Sequence, residues 1–396
     1  MLSPSYVRTA LRGVKMSIVG IIAGMHRSGT SALARMMNLY GFEIPGELDT
    51  NTHHNATGHW EPVAFVSLNT HILKELGADW CALRLPETST LDGLSTKTRA
   101  ALTAYATESF SLHDTIVIKD PRVCYTLPLW LDEVTQRGDT ALVLLPYRHP
   151  LEVAKSLAAR DEMHLNVGLA LWLCSMLSAE YYSRGQLRSA IEFGAFIDNW
   201  RIAFTPVAER IGTHIPEAND PIGTKIDQYI NREQRHQTVQ QLTDEHRALS
   251  MLDLALEAYE TFHSDLDTPA VREHLDALRH RVGLHIAAEG LAEAAREFGL
   301  RYSHMRAIAE RDDLIVTLRK KITELEGTIA WREGHLDASI AECDWRRTTT
   351  SALQAEVQRL SAVVNTQDTL IGPFRWLIGL WLRITRRNTD TPPSHN

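Results

Sequence analysis

Short apolar runs alternate with amphipathic stretches along the first part of the chain. Residues 17–23 read SIVGIIA, a continuous β-branched run that is typical of a strand buried on both faces. Residues 31–41 place apolar side chains at helical spacing and end on glycine, which predicts a helix with a C-terminal cap. The same order returns at 114–122 and at 140–150, where a helix follows Pro150. Strands that alternate with helices predict a three-layer α/β fold with a parallel sheet.

Beyond a fourth strand–helix pair at 189–212, the pattern becomes helical over 246–300 and then strictly repetitive. One position of a seven-residue repeat is apolar throughout, at Ile308, Ile315, Ile322, Ile329 and Leu336. The same frame continues through 353–364, and a repeat of this length predicts a coiled coil. We expect this coil to join chains in a homodimer or trimer. Arginines at core positions weaken its middle, and a long surface helix of the same domain is the alternative.

These patterns predict six segments along the chain. They are an N-terminal extension (1–15), an α/β domain (16–262), a helical connector (263–304), a coiled coil (305–367), an apolar and basic tail (368–387) and a disordered end (388–396). The tail carries aromatic residues and closes on arginines, but it is too short to span a bilayer. We expect it either to lie on anionic head groups at the inner face of a membrane or to dock on protein.

Composition and charge narrow the class of protein. The 396 residues are 44% hydrophobic and 23% charged, which is ordinary for a globular chain. A formal charge of −8 argues against a general nucleic-acid binder, which needs a basic face. The four cysteines are far apart and form no C-x-x-C pair, so neither a disulfide framework nor a zinc motif is expected. A reducing, cytoplasmic compartment fits this cysteine usage.

The segment GMHRSGTS, residues 24–31, has the spacing of a nucleotide-phosphate loop but carries Thr30 where such loops carry lysine. Its setting between a predicted strand and a predicted helix supports an anion site, because backbone N–H groups at a helix N-terminus bind anions. Arg27 supplies a planar cation inside the loop. The first polar residue after the next strand is Lys119, not an acid that would hold Mg²⁺. Cations and hydroxyls without a metal favour a phosphosulfate over a nucleoside triphosphate.

Two stretches resemble elements of the sulfotransferase family, which uses 3′-phosphoadenosine 5′-phosphosulfate (PAPS). GMHRSGTSALARMM is similar to the family's 5′-phosphosulfate loop, and YRHPLEVAKS is similar to its 3′-phosphate element, an arginine followed eight residues later by a serine. The resemblance covers about residues 16–260. It implies contacts to the 5′-phosphosulfate from Arg27, Ser28, Gly29, Thr30 and Ser31, and contacts to the 3′-phosphate from Arg148 and Ser156.

The acceptor side of the reaction needs a cation at the leaving oxygen and a base for the hydroxyl proton. Lys119 lies where many family members carry that cation, whereas Pro121 replaces the histidine that serves as base in animal cytosolic members. NATGHWEP resembles the G-F-W-E element of bacterial members, which makes Glu61 the first choice for the base, unless Glu61 only pairs with Arg122 or another cation. The further choices, in order, are Asp120, His59 and Glu47.

The resemblance implies metal-independent, in-line transfer of a sulfuryl group from PAPS to a hydroxyl, with a glycan or another alcohol as acceptor. His53, His54 and His59 match no standard ligand spacing, so no metal site is expected. We expect loops such as 47–60 and 160–190 to form the acceptor pocket. A nucleotide-dependent kinase, which needs a metal and a triphosphate, and a non-catalytic coiled-coil scaffold are the alternatives.

Overall fold

The computed structural model of the protein describes residues 17–48, 58–86, 91, 93–230, 239, 241–334 and 348–366. The N-terminal extension, the tail and the end of the chain, which we assigned from the sequence, lie outside these residues. Contacts divide the chain into a first unit, Met1–Gly299, and a second unit, Leu300–Asn396. The sheet and the candidate site belong to the first unit.

Four parallel strands form the sheet of the first unit, in the spatial order β2-β1-β3-β4. The strands are β1 (Ile18–Ile22), β2 (Thr115–Lys119), β3 (Thr140–Tyr147) and β4 (Leu187–Glu192). Ile22 at the end of β1 is in register with Lys119 and with Leu144. Parallel strands end at one edge of a sheet, so the segments after β1, β2 and β3 meet there.

Helices surround this sheet. Those of the first unit are α1 (Thr30–Tyr40), α2 (Val63–Glu75), α3 (Thr96–Phe110), α4 (Val123–Gln136), α5 (Pro150–Asp161), α6 (Leu165–Tyr182), α7 (Phe193–Asp198), α8 (Trp200–Arg210), α9 (Pro221–Tyr229), α10 (Asp244–Arg247), α11 (Leu252–Thr261) and α12 (Pro269–Ala288). A further helix, α13, spans Leu291–Gly334.

Both faces of the sheet are covered, which accounts for the unbroken apolar run of β1. Ile18 and Ile22 point to one face, where they share a core with side chains of α1, α7 and α8. Val19 and Ile21 point to the other face and are equally buried, and α4 and α6 contact β3. The structure therefore confirms the predicted α/β fold with a parallel sheet between helical layers.

Two segments differ from the expectation drawn from the sequence. We expected acceptor loops over 160–190, but 165–182 form helix α6, whose side chains are buried continuously from Val167 to Glu180. A helix buried on all sides carries no amphipathic period, which explains why the pattern did not reveal it. The predicted helix within 189–212 is interrupted at Asn199, where extended backbone (φ −154°) separates α7 from α8.

The second unit contains the later part of α13 and a helix over 348–366. Ile315 and Val364, 4% and 5% exposed, share a small core with Ile308, Leu318 and Ile322. Val364 lies on the helix over 348–366, so this helix packs against α13 around Ile315. Four of the predicted positions of the repeat, Ile308, Ile315, Ile322 and Val364, thus pack within one chain, and both the coiled coil and the expected association between chains stay predictions. Within the described ranges, no helix has the length and apolar character that crossing a bilayer requires.

Candidate active site

The loop between β1 and α1 contains two residues with left-handed backbone. Arg27 has φ 67° and Gly29, the N-cap of α1, has φ 85°. Two left-handed residues so close together curve the chain tightly and bring backbone N–H groups to the N-terminus of a helix, an arrangement that binds anions. The Ser28 hydroxyl is buried and has no hydrogen-bond partner within the described residues, although a buried hydroxyl normally has one.

Two glycines of this loop are required by close packing. A Cβ on Gly29 would lie 2.7 Å from Cε2 of Phe193, and closer still to Cδ2, in addition to the strain of its positive φ. A Cβ on Gly24 would lie 2.6 Å from the carbonyl oxygen of Pro146 on β3. The loop is therefore clamped between the end of β3 and the first residue of α7.

The two sequence elements that we assigned to opposite ends of the donor are in direct contact. The Arg27 Nε donates a hydrogen bond of 2.8 Å to the Ser156 hydroxyl on α5, 129 residues along the chain. The Arg148 Nη1 donates to the backbone oxygen of Arg27 at 3.4 Å. Arg148 follows the last residue of β3, so the sheet brings these groups together at its carboxyl edge, as the sequence predicted.

Arg148 is buried and held on several sides. Its Nε donates a 2.7 Å hydrogen bond to Oε2 of Glu152, and its guanidinium carbon lies 5.0 Å from the centre of the Phe193 ring. The second carboxylate oxygen of Glu152 accepts a 3.1 Å hydrogen bond from the backbone N–H of Val239. Glu152 is not among the residues that the sequence motifs predicted for the site. An acid four residues after Arg148, in the first turn of α5, is the signal that would identify it.

Lys119 and Glu61 form an ion pair beside the loop, with side chains that are 3% and 12% exposed. The Lys119 ammonium also donates to the Ser31 hydroxyl and to the backbone oxygen of His59, each at 3.4 Å. The structure thus brings together the predicted cation, the first-choice base and the end of the loop between β1 and α1. The sequence left open that Glu61 pairs with a cation, and that cation is Lys119.

The backbone around Glu61 is shaped by Trp60, which has a left-handed φ of 56°. The Trp60 ring lies 4.4 Å from the guanidinium carbon of Arg35 on α1. The backbone N–H of Val63, at the start of α2, donates to the carbonyl oxygen of Glu47 at 2.8 Å. These contacts fix the segment before α2, and the Glu61 carboxylate with it. The Glu47 side chain itself is exposed.

Asp120 is placed differently, although it directly follows Lys119. Its carboxylate is fully buried and accepts hydrogen bonds from Asn69 Nδ2 (3.1 Å), the Arg122 backbone N–H (3.1 Å) and Arg122 Nη1 (2.8 Å). Burial raises the pKa of Asp120, and the Arg122 guanidinium opposes that rise. Asn69 in turn accepts hydrogen bonds from Thr126 and Trp130. Asp120 therefore anchors the turn after β2 within a satisfied buried network.

His26 lies in the loop between β1 and α1, and the centroids of its ring and the Trp80 ring are 5.0 Å apart in a T-shaped arrangement. Its Nε2 has no hydrogen-bond partner among the described residues. Burial lowers the pKa of His26 well below its usual value, and the nearby cation Arg160 lowers it further. A neutral imidazole follows. Sequence reasoning did not single out His26, Trp80 or Arg160, because no local motif relates the three.

A metal site was not expected from the sequence. His53 and His54 lie outside the described residues. Among the residues that are described, no three His, Cys, Asp or Glu side chains group as metal ligands do.

No protein-family model matches the chain, and it matches no curated protein. Solved structures that are similar to it include two sulfotransferase domains. The sulfotransferase domain from the Synechococcus PCC 7002 olefin synthase is 15% identical with a TM-score of 0.37, and the match covers 65% of this chain and 98% of that domain. The sulfotransferase domain from the curacin biosynthetic pathway is 12% identical with a TM-score of 0.32, and the match covers 69% and 98%. At such identities and scores, function has to be inferred from the side chains described above.

Proposed function

We propose that the protein is a PAPS-dependent sulfotransferase that moves a sulfuryl group to a hydroxyl acceptor. The observation that carries this proposal is the contact between its two anion-binding elements, the 2.8 Å hydrogen bond from Arg27 to Ser156. Adjacent parallel strands deliver these elements to one edge of the sheet, where α/β proteins bind nucleotides. PAPS carries one anionic group at the 3′ position of its ribose and another at the 5′ position, so it matches such a pair of elements.

In this proposal the donor's two anionic ends are held by the two elements separately. The 5′-phosphosulfate contacts the loop residues Arg27, Ser28, Gly29, Thr30 and Ser31, and the 3′-phosphate contacts Arg148 and Ser156. The buried Ser28 hydroxyl, which lacks a partner within the described part of the chain, fits a bound oxyanion. The fixed planar guanidinium of Arg148 fits a phosphate group.

Lys119 and Glu61 supply the transfer chemistry. PAPS, when bound, supplies the sulfuryl group and leaves as 3′-phosphoadenosine 5′-phosphate (PAP). Lys119 is hydrogen-bonded to Ser31 of the loop, so its ammonium is in position to neutralise charge that develops on the leaving oxygen. Glu61, the ion-pair partner of Lys119, accepts the proton of the acceptor hydroxyl. We prefer Glu61 to Asp120 because the Asp120 carboxylate is fully buried and engaged by Asn69 and Arg122.

Nucleotide titration tests the donor assignment. PAP and adenosine 5′-monophosphate (AMP) differ only in the 3′-phosphate, so the wild-type chain should bind PAP more tightly. Arg148→Ala should weaken PAP binding about 10-fold to 100-fold while AMP binding changes by less than about twofold. Arg281→Ala is the matched control, because it removes an exposed arginine of α12 that pairs with Glu257. Equal affinity of the wild-type chain for PAP and AMP would overturn the proposal.

Transfer itself is tested with ³⁵S-labelled PAPS and a panel of carbohydrate and lipid extracts. Label should appear in a hydroxyl-bearing fraction with the wild-type chain and fall about 10²-fold or more with Glu61→Gln. Because glutamine keeps the shape of glutamate, PAP binding should stay unchanged. Turnover of ATP that requires Mg²⁺ and stops with EDTA, without any transfer from PAPS, would instead identify a kinase.

A further inference from the structure

Glu152 is a buried carboxylate that joins three parts of the chain at the edge of the sheet. It is 1% exposed, and its two oxygens accept hydrogen bonds from different groups. Oε2 accepts from Arg148 Nε at 2.7 Å, and Oε1 accepts from the backbone N–H of Val239 at 3.1 Å. Glu152 itself lies on α5, so the strand end, the helix and the segment at residue 239 converge on this one side chain.

A negative charge beside a phosphate pocket has two opposite effects on the affinity for phosphate. It repels the anion through space, and it orients the guanidinium that binds the anion. The geometry favours the orienting effect over the repulsion. One oxygen of the Glu152 carboxylate binds Nε of Arg148, the guanidinium nitrogen nearest the arginine stem, and the other oxygen accepts a hydrogen bond from the backbone of Val239. Phe193 also lies under the guanidinium at 5.0 Å. Such a clamp fixes the plane and direction of the arginine's outer nitrogens.

We propose that Glu152 is a positioning residue for the donor's 3′-phosphate. It holds Arg148 in the orientation that binds this group and fixes the backbone at Val239 to the same point. The proposal rests on the proposed function, since it assumes that Arg148 binds the 3′-phosphate. Its specific content is the sign of the effect: removing the negative charge at residue 152 weakens phosphate binding, although simple electrostatics predicts that it strengthens it.

Two variants of Glu152 separate positioning from charge. Glu152→Gln removes the charge and turns one acceptor into a donor, so the amide cannot bind both Arg148 Nε and the Val239 N–H. Glu152→Asp keeps the charge but shortens the side chain by one methylene, so it cannot span both partners. Both should weaken PAP binding by about 10-fold to 30-fold, the loss expected when an arginine side chain is no longer held in place. AMP, which lacks the 3′-phosphate, should bind each variant within about twofold of wild type.

Glu180→Gln is the matched control. Glu180 is also fully buried and paired with an arginine four residues later, Arg184, but that pair joins α6 to α12 instead of serving the phosphate loop. The Glu180→Gln variant should have a lower melting temperature than wild type but the same ratio of PAP affinity to AMP affinity. A changed ratio in this control would mean that the loss reflects general destabilisation, and would overturn the specific role of Glu152.

The outcomes distinguish this inference from the proposed function. If wild type does not prefer PAP over AMP, the proposed function fails and the inference fails with it. If wild type prefers PAP but Glu152→Gln tightens PAP binding or leaves it unchanged, only the inference is wrong, because charge then outweighs positioning. If Glu152→Gln does not fold, Glu152→Asp decides alone: a retained PAP preference overturns the inference, and a selective loss of PAP binding supports it.

Discussion

Gly29 offers a test of the fold at the loop between β1 and α1 that does not depend on any ligand. A Cβ at this position would lie 2.7 Å from Cε2 of Phe193, and the backbone has φ 85°. Left-handed backbone costs a non-glycine residue about 1 kcal/mol, and overpacking against a buried ring costs about 1–3 kcal/mol. Phe193 is itself buried in the core that α1 shares with the sheet, so its ring has little room to move. Gly29→Ala should therefore destabilise the protein by about 2–4 kcal/mol.

Gly46 separates the two contributions, because it has nearly the same backbone (φ 81°) and a Cβ there meets nothing within 4 Å. Gly46→Ala should cost only the backbone strain, about 1 kcal/mol. Thermal unfolding followed by circular dichroism measures both variants. Each kcal/mol lowers the melting temperature by about 2–4 °C in a domain of this size. The difference between the variants, about 1–3 kcal/mol, is the cost of displacing Phe193.

The double variant Gly29→Ala/Phe193→Ala completes the test. If the clash with the ring is real, the two changes should couple, so that their combined cost is smaller than the sum of the single costs. Equal melting temperatures for Gly29→Ala and Gly46→Ala, or strict additivity in the double variant, would refute the reasoning. Either result would mean that the loop accommodates the methyl group without moving Phe193.

Three further outcomes are expected. Single-turnover sulfate transfer should fall about 10²-fold or more in Glu61→Gln with PAP affinity unchanged, and a transfer rate within about twofold of wild type would exclude Glu61 as the base. Hydrogen bonds from Arg201 lower the pKa of Asp227, so Asp227→Asn should reduce the free energy of unfolding by up to about 1 kcal/mol near pH 7 and by progressively less below about pH 4. Urea unfolding measures this difference, and a destabilisation that grows on acidification would contradict the expected sign. Ile315→Ala should speed amide hydrogen exchange in the second unit, whereas Val316→Ala should not, because the Val316 side chain is 64% exposed. Equal effects of the two variants would contradict the packing of Ile315 with the helix over 348–366.

The sequence predicted the features that depend on local pattern. Strand β1 is predictable from the sequence because a buried parallel strand is continuously apolar, and the loop after it is predictable because its glycine spacing is specific. Arg148 and Ser156 were placed correctly relative to the loop because parallel strands end at one edge. Glu152 is recognisable in the sequence as an acid four residues after an arginine, but nothing in the pattern shows that this pair is buried.

Features set by tertiary packing were not predictable in this way. Helix α6 is buried on every side, so it shows no amphipathic period. The pairing of Lys119 with Glu61 joins residues that are 58 positions apart and depends on the left-handed backbone at Trp60, which no propensity favours for tryptophan. The seven-residue repeat predicted that Ile308, Ile315 and Ile322 lie in a core, but a periodic pattern alone does not state whether the partner helix belongs to the same chain.

The left-handed backbone of Arg27 has a consequence for how substitutions at this position would be read in a mutational scan. An arginine at φ 67° costs about 1 kcal/mol relative to glycine, and its hydrogen bond to Ser156 contributes about as much in the other direction. These two contributions offset each other, so together they leave the free energy of unfolding of Arg27→Gly close to that of wild type. In a survey of variants scored by cellular abundance, Arg27→Gly would score like wild type. In a survey scored by nucleotide binding, the same variant would score poorly. The difference between the two scores would indicate that Arg27 serves binding and not folding.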